Sequence, residues 1–592
     1  MRVSEPNDLF TLIWTRWALG FFLMASILGL VMRAFHVTEI PVLEYRYILH
    51  AHSHIALLGW GFMMLMGGMI FSVDNRVNLS KKYGWLMILL LISLIGMLLS
   101  FPVQGYGAIS ISFSTLFVVV SYGLIYRFWR VLKIQVKSSG IRLLRYAILG
   151  YLISTLGLWA LGPVTVTLGR MHELYFMTIQ WFLHFQLNAW FVLGTLGLLV
   201  FFAEKKGIQI LISSTQRAVL LVSVFLTYAL VITWAEPSPV FFWINSLAVT
   251  IQAFAYFIVL SKLWKILPLL PVGRFVFWMF KLSIFSLIAK GFLQILLVLP
   301  EVAVISYTIR MYVIGFLHLV LLGAMSFGIT GLAIAERRIP QTLLTKIAWN
   351  LVAIAFLGTE LLLFGQGTMV WFKLGYLSWY HLGLFLLSIL FPIGLSLAML
   401  SHAIQRIHSD TPISFPQIPN QNKSQTMKKA MIWSMGIVAM LLTSCGGGTD
   451  SQSSTSDSGA SASEAPVPTA DPKGIGEIKQ VDLGAGIDAS LADQGKAIVD
   501  MKCTACHQLN DKRLVGPGFQ GVTNRRRPEW IMNMITNVDV MLDQDPEAQK
   551  LLEECLTRMP NQNISLDDAR GILEFMRKND EEKAGQRDAA VK

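Results

Sequence analysis

Twelve apolar runs, each long enough to cross a bilayer as a helix, fill most of the first four hundred residues of this chain. They lie at about 9–33, 48–72, 84–102, 107–129, 146–167, 172–203, 215–235, 240–261, 273–299, 303–335, 343–365 and 374–402. A hydrocarbon core of ~30 Å takes roughly 20 apolar residues as helix. In lipid the backbone must satisfy its own polar groups, which leaves helices or closed barrels. The runs therefore predict an all-α polytopic bundle over residues 1–408. The chain is 54% hydrophobic and 14% charged, and the apolar excess ends near residue 405. An ordinary soluble protein is excluded.

The net charge of +12 is not a nucleic-acid signature, because the cations cluster in short loops. Arg76, Lys81 and Lys82 follow the second run. Arg127, Arg130, Lys133, Lys137, Arg142 and Arg145 follow the fourth. Lys205, Lys206 and Arg217 follow the sixth, Lys262, Lys265 and Arg274 the eighth, and Arg337, Arg338 and Lys346 the tenth. The alternate loops are poor in basic residues. Positive loops stay in the cytoplasm, so both ends of the twelve-span unit are expected inside a bacterial inner membrane.

A cytoplasmic linker, 409–426, leads to MKKAMIWSMGIVAMLLTSCGGG at 427–448. Two lysines, a short apolar run and Leu442-Thr443-Ser444-Cys445 read as an export signal with a lipobox, at Cys445, lying in mid-chain. Segment 427–445 is either a short thirteenth anchor or a cleaved, lipidated signal. Either way, the chain beyond residue 445 is exported. Residues 446–473 are mostly Gly, Ser, Ala and acids and cannot bury a core. They form a flexible tether that reaches ~25–30 Å. A folded domain is expected at 474–580, with a charged tail at 581–592.

KCTACH at 502–507 is a C-x-x-C-H. In that motif two thioethers fix haem covalently and the histidine binds its iron. Cys503 and Cys506 are the attachment points and His507 the proximal ligand. Met559, in RMPNQNIS, is the candidate for the other axial position. His/Met ligation raises the potential of the iron. A zinc or redox C-x-x-C is the alternative, and the adjoining histidine, the downstream Met-Pro, the export segment and the single C-x-x-C argue against it. Met532, Met534 and Met541 sit at helical spacing and read as core. Cys555 reads as a buried small residue. Arg525, Arg526 and Arg527 are either a docking patch or a solvated turn.

The order of helix, C-x-x-C-H, GPGF loop, middle helices, Met-Pro and last helix resembles class I cytochromes c. More narrowly, LVGPGFQGVTNRRRPEWIMNMITNVDVML with ECLTRMPNQNIS resembles the small lipoprotein cytochromes that accompany nitrous oxide reductase. That resemblance implies electron delivery to a periplasmic copper enzyme in denitrification.

The apolar half contains His50, His52, His54, His172, His184, His318 and His381, all in the outer half or near the middle of the expected spans. Buried ionisable groups are costly in lipid, and the one-sided group points to a haem or metal site. Lys290 and Glu360 also lie within spans, for proton movement, quinol binding, a buried pairing or a water-lined site.

HSHIALLGWGF (52–62), HFQLNAWFVL (184–193) and FLHLVLLGAMSFG (316–328) resemble the histidine segments of subunit I in the haem–copper oxidase and nitric oxide reductase superfamily. The resemblance implies a low-spin haem b between His52 (or His54) and His318. Phe316 stands where that family has the ligand of its catalytic haem, and 220–237 lacks the metal-binding histidine pair. Asn188 stands where the reductases often have Glu. His184 is either a retained metal ligand, copper in that family, or structural.

No residue is assigned a catalytic role. The expectation is a respiratory-chain electron carrier that passes electrons, from quinol through a bis-His haem b, to a tethered c-type cytochrome and on to a periplasmic acceptor. A divergent nitric oxide or oxygen reductase fused to its cytochrome, and a metal-binding membrane module fused to a cytochrome, are the alternatives.

Overall fold

The computed structural model describes residues 6–409 and 471–591, apart from 39, 41, 75–77, 170–171, 236–237, 373, 376, 485, 505, 514–515, 556–558, 560–561 and 563. The linker, the 427–445 signal, Cys445 and nearly all of the tether lie outside the described residues. Among the described residues there is no strand.

Twelve helices are long and apolar enough to cross a membrane: Leu9–Ala34, Tyr45–Val73, Leu79–Gln104, Ala108–Ile134, Ser139–Leu168, Glu173–Lys205, Ser214–Thr233, Pro239–Leu269, Arg274–Leu296, Arg310–Ala335, Leu343–Trp371 and Tyr380–Ile404. Each overlaps one expected run. The tenth begins later than expected. A short helix, Pro300–Thr308, precedes it, and Ile309 between them is extended at φ −86°, ψ 102°. The break lets the tenth span start at a cation, Arg310, instead of drawing that charge into the helix interior. The seventh span is interrupted after Leu226. There the Thr227 hydroxyl donates to the Ser223 and Val224 carbonyls, a local bond that competes with the helix ladder.

The second, sixth and tenth spans form the centre. Their apolar windows are 83%, 94% and 61% buried, against 28–50% for the other nine. All three switch from α to π geometry midway, at Ile55–Phe62, Gln186–Phe191 and Leu319–Ser326. The widened turns are joined by side chains. Trp60 Nε1 donates to Ser326 Oγ at 2.7 Å, and the Phe62 and Trp190 rings stack at 5.5 Å. At the basic-loop end Glu336 links the same three spans. It accepts from Ser72 at 2.9 Å and from Arg338 at 2.8 Å, and it lies 3.6 Å from Lys205 Nζ.

The C-terminal domain is built on two helices, Ala489–Lys502 and Leu566–Ala584. Asp488 caps the first by accepting from the Leu491 N–H, and Ser565 caps the second through the Asp568 N–H. They cross at Gly495 and Gly571, where a Cβ on Gly495 would collide with the Gly571 carbonyl. Only the bare backbones allow that approach. Three shorter helices, Pro528–Thr536, Val538–Gln544 and Pro546–Cys555, close the core around Trp530, Met541 and Leu552. The charged tail is tied into the domain rather than trailing from it. Arg577 pairs with Asp588, and the Ala589 N–H donates to Asn524 Oδ1 at 3.1 Å.

Candidate functional site

The helix Ala489–Lys502 ends at Cys503, and the chain turns there, Cys506 N and His507 N both donating to the Cys503 carbonyl at 3.0 and 2.9 Å. That turn sets Cys503 and Cys506 on one loop with His507. The loop folds back through Gly516, whose N–H donates to the Cys506 carbonyl at 2.8 Å. His507 Nδ1 donates to the Pro517 carbonyl at 2.8 Å, and the ring stacks on Phe519 at 4.7 Å. A carbonyl only accepts, so the proton sits on Nδ1 and the Nε2 lone pair is left for a metal. This is the outer hydrogen bond that a metal-binding histidine usually makes. Cys503 and Cys506 are free thiols. Burial pushes the Cys503 thiol up to about 12. Met559 and Cys503 pack against the same domain core. Of the rival methionines two are core and Met534 is half-buried against it. Met541 is fully buried and its sulfur accepts from the Ile475 N–H, and Met532 is core. Cys555 is buried, as expected. The residues present fit a covalent haem with His and Met axial ligands.

Arg525, Arg526 and Arg527 do not form a free cationic patch. Arg525 donates to the Gln520 carbonyl at 2.8 Å. Arg526 pairs with Glu547 at 2.7 Å and lies over Trp530, and Arg527 faces Glu529 at 3.5 Å.

In the bundle the seven histidines separate by what their rings do. His52 Nδ1 donates to the Ala25 carbonyl at 2.8 Å, and its Nε2 has no hydrogen-bond partner among the described residues. Gly29 lies against the same ring, and a Cβ there would come within 3.0 Å of it. His318 makes no hydrogen bond among the described residues. Its Nδ1 lies 3.9 Å from Glu360 Oε1, and both Glu360 oxygens are buried without a partner there. That carboxylate stands where an outer partner of a ligand histidine would stand. His52, at Nε2, and His318 thus each keep a ring nitrogen without a hydrogen-bond partner among the described residues, as does His50 at Nε2.

His54 and His184 do not. His54 Nδ1 donates to the His50 carbonyl at 2.9 Å, and Nε2 faces the Tyr106 hydroxyl at 3.5 Å. His184 Nε2 donates to the Val224 carbonyl at 2.8 Å, and Nδ1 faces the Asn188 amide at 3.4 Å. Both nitrogens of each ring face a partner, which sets His54 and His184 apart from His52 and His318. No cluster of three or more His, Cys, Asp or Glu suited to a metal ion occurs among the described residues. His172 caps the sixth span through the Leu174 N–H. His50 packs against Tyr106 with the rings tilted at 57° and their centroids 4.4 Å apart.

Sequence reasoning passed over Arg310 and Phe35, which meet the C-terminal domain, and His36 beside them. His36 and His381 stack at 4.6 Å and 12°. Burial, with His381, Arg33 and Arg310 nearby, holds His36 well below the usual imidazole range. Arg310 Nη1 lies 3.4 Å from Cys506 Sγ, Gln508 Nε2 donates to the Phe35 carbonyl at 3.4 Å, and Arg46 donates to the Glu554 carbonyl at 2.9 Å. Cys506 packs against the bundle core. The attachment loop thus rests on the ends of the first and tenth spans, and the helix Pro546–Cys555 on the start of the second. The available signal was Arg310 itself, a lone cation within an apolar run.

A family model described as Cytochrome c matches residues 492–580. A cytochrome c from Rhodothermus marinus is 41% identical over 19% of this chain and 100% of its own, with a TM-score of 0.19. An engineered cytochrome c from the same organism is 41% identical over 19% of this chain and 99% of its own, with a TM-score of 0.18. No curated protein matches.

Proposed function

Because the C-terminal domain of this chain belongs to the cytochrome c family, we propose that the whole chain is a membrane-anchored electron carrier of the exported side. Cys503 and Cys506 hold haem c by thioethers, with His507 and Met559 as its axial ligands. His52 and His318 hold haem b inside the bundle. One-electron transfer is the chemistry haem supplies when bound. The protein's own part is to fix the two sites and bring them together.

The observation that carries this reading is the seat of the attachment loop. Cys506 lies against Arg310, the first residue of the span that carries His318. The eight residues between Arg310 and His318 rise about 12 Å along the helix. Arg46, which holds Glu554, is six residues before His52, about 9 Å. The domain sits at the end of the bundle opposite the basic loops, which agrees with export to the periplasm.

Electrons enter from a membrane quinol, pass to the C-terminal domain and leave to a periplasmic acceptor. Nitrous oxide reductase is the acceptor to test first, on the resemblance of the cytochrome segment. A terminal reductase is disfavoured by the place of Phe316. Its ring lies under the Lys290 ammonium at 5.5 Å and offers no atom that could bind a metal. Deleting residues 474–592 should abolish quinol-driven nitrous oxide reduction in cells. Unchanged reduction would rule out that acceptor. Rapid-mixing reduction of haem c by a quinol, lost in His318→Leu, tests the relay itself. Retention of the wild-type rate would rule the relay out.

A further inference from the structure

Between the eighth span (Pro239–Leu269) and the ninth (Arg274–Leu296) runs a polar seam that takes no part in the haem sites. Asn245, Gln252 and Tyr256 recur at seven and four residues, which places them on one face of the eighth helix. Ser283, Ser286, Lys290 and Gln294 do the same on the ninth. All are buried. Asn245 and Lys290 are 0% exposed, Gln252 1%, Tyr256 3% and Gln294 6%.

The protein does not satisfy this seam by itself. Lys290 Nζ donates to Gln294 Oε1 at 2.6 Å and meets no carboxylate among the described residues. Its other neighbours are the ring faces of Tyr256 at 5.0 Å and Phe316 at 5.5 Å. Both amide atoms of Gln252, the Tyr256 hydroxyl and Asn245 Oδ1 have no hydrogen-bond partner among the described residues. Each unmet polar atom is costly to bury, and a desolvated ammonium costs more. Two aromatic faces favour a cation between them, but they supply few acceptors for its protons. Water meets such a need where two to four polar groups converge.

The seam also has a direction. Asn245 Nδ2 donates to the Leu297 carbonyl at 3.0 Å and Ser246 Oγ to the Val298 carbonyl at 2.8 Å, at the histidine end of the bundle. Lys290 lies seven residues deeper, about 10 Å along the helix. Beyond it Ser286 and Ser283 are satisfied by the Leu282 and Ala324 carbonyls, and Met279 and Phe280 close the helix pair with buried apolar side chains. The titratable groups around Lys290 are Tyr256 on the eighth span and His184 on the sixth. The tenth presents Phe316.

We propose that the eighth and ninth spans enclose a hydrated half-channel, open toward the exported side and ending on Lys290, through which water and protons reach the middle of the bundle. It requires no haem in the bundle. The bundle is free of cysteine, since the four in the chain are Cys445, Cys503, Cys506 and Cys555. That makes substituted thiols a clean probe once Cys445 and Cys555 are replaced and the other two are held as thioethers. Gln252→Cys and Gln294→Cys are compared with Phe292→Cys, whose native side chain is 63% exposed on the outside of the same helix at the same depth. The probe is a small, membrane-impermeant anionic thiosulfonate added from the exported side. Both seam thiols should react at least about tenfold faster than the thiol at 292, because only a hydrated thiol ionises to the nucleophile. Adding Lys290→Gln should slow the anionic probe and leave a neutral probe of the same size unchanged. Seam thiols no faster than the one at 292, or labelled only from the basic-loop side, would overturn the half-channel. An anionic rate indifferent to Lys290→Gln would overturn Lys290 as its end.

Discussion

Arg310 at the head of the tenth span points its Nη1 at Cys506 Sγ from 3.4 Å, and His318 lies eight residues later on the same helix. One helix therefore touches the haem-attachment loop at its tip and carries a candidate iron ligand in its interior. Arg310→Ala should weaken this seat by about 1 kcal/mol, the usual worth of one hydrogen bond, or roughly fivefold in docked population. Electron transfer into the C-terminal domain, followed by rapid mixing, should slow by that factor while its unfolding midpoint stays put.

The bundle histidines make a sharper prediction. His52→Leu and His318→Leu should each remove the b-type absorbance of the purified protein. His54→Leu and His184→Leu should keep it, because both ring nitrogens are already engaged with Tyr106, Val224, Asn188 and the His50 carbonyl. Loss of the b signal in His54→Leu with retention in His52→Leu would reverse the assignment.

In the C-terminal domain, Met559→Ala should lower the midpoint potential of haem c and open its iron to carbon monoxide, since thioether ligation raises the potential. Redox titration with and without carbon monoxide checks both effects. The same substitution at Met541, which is core, should cost stability and leave the potential near its original value.

The helix crossing gives a stability test. Gly495→Ala forces a methyl into the Gly571 carbonyl. Overpacking of this kind costs about 3 kcal/mol, so the thermal midpoint of the domain should fall by roughly 10–20 °C. The haem c absorbance of the full chain reports it.

Acid stability should depend on Glu574, whose side chain is 1% exposed. Burial works against its charge, but Arg570, the Asp488 N–H and Arg577 outweigh that and hold its carboxyl below the usual range. A depressed carboxylate contributes stability above its unfolded value, near ~4.3, and loses it as pH falls through the lower folded value. Denaturant unfolding should therefore show an acid limb there, flattened in Glu574→Gln along with a loss of about 2 kcal/mol at neutral pH.

How far the sequence spoke depended on the range of the physics involved. Span number came from local apolar length, and all twelve runs are helices. C-x-x-C-H is local too, so Cys503, Cys506 and His507 were legible. The π-turns at Ile55–Phe62, Gln186–Phe191 and Leu319–Ser326 were not, because they answer to the packing of three central helices on one another. Nor could spacing separate His52 from His54, two residues apart. That choice rests on the Ala25 and His50 carbonyls and on Gly29. The break at Ile309 and the seat of Cys506 on Arg310 are tertiary facts of the same kind.

The central claim is that one haem in the bundle feeds one in the C-terminal domain. A pyridine haemochrome spectrum of the purified full-length chain measures the ratio of haem b to haem c. One of each is expected. Two haems b per haem c would restore the reductase reading and require a ligand other than Phe316. Haem c alone, with the bundle intact, would contradict the relay and leave the C-terminal cytochrome as the only redox centre.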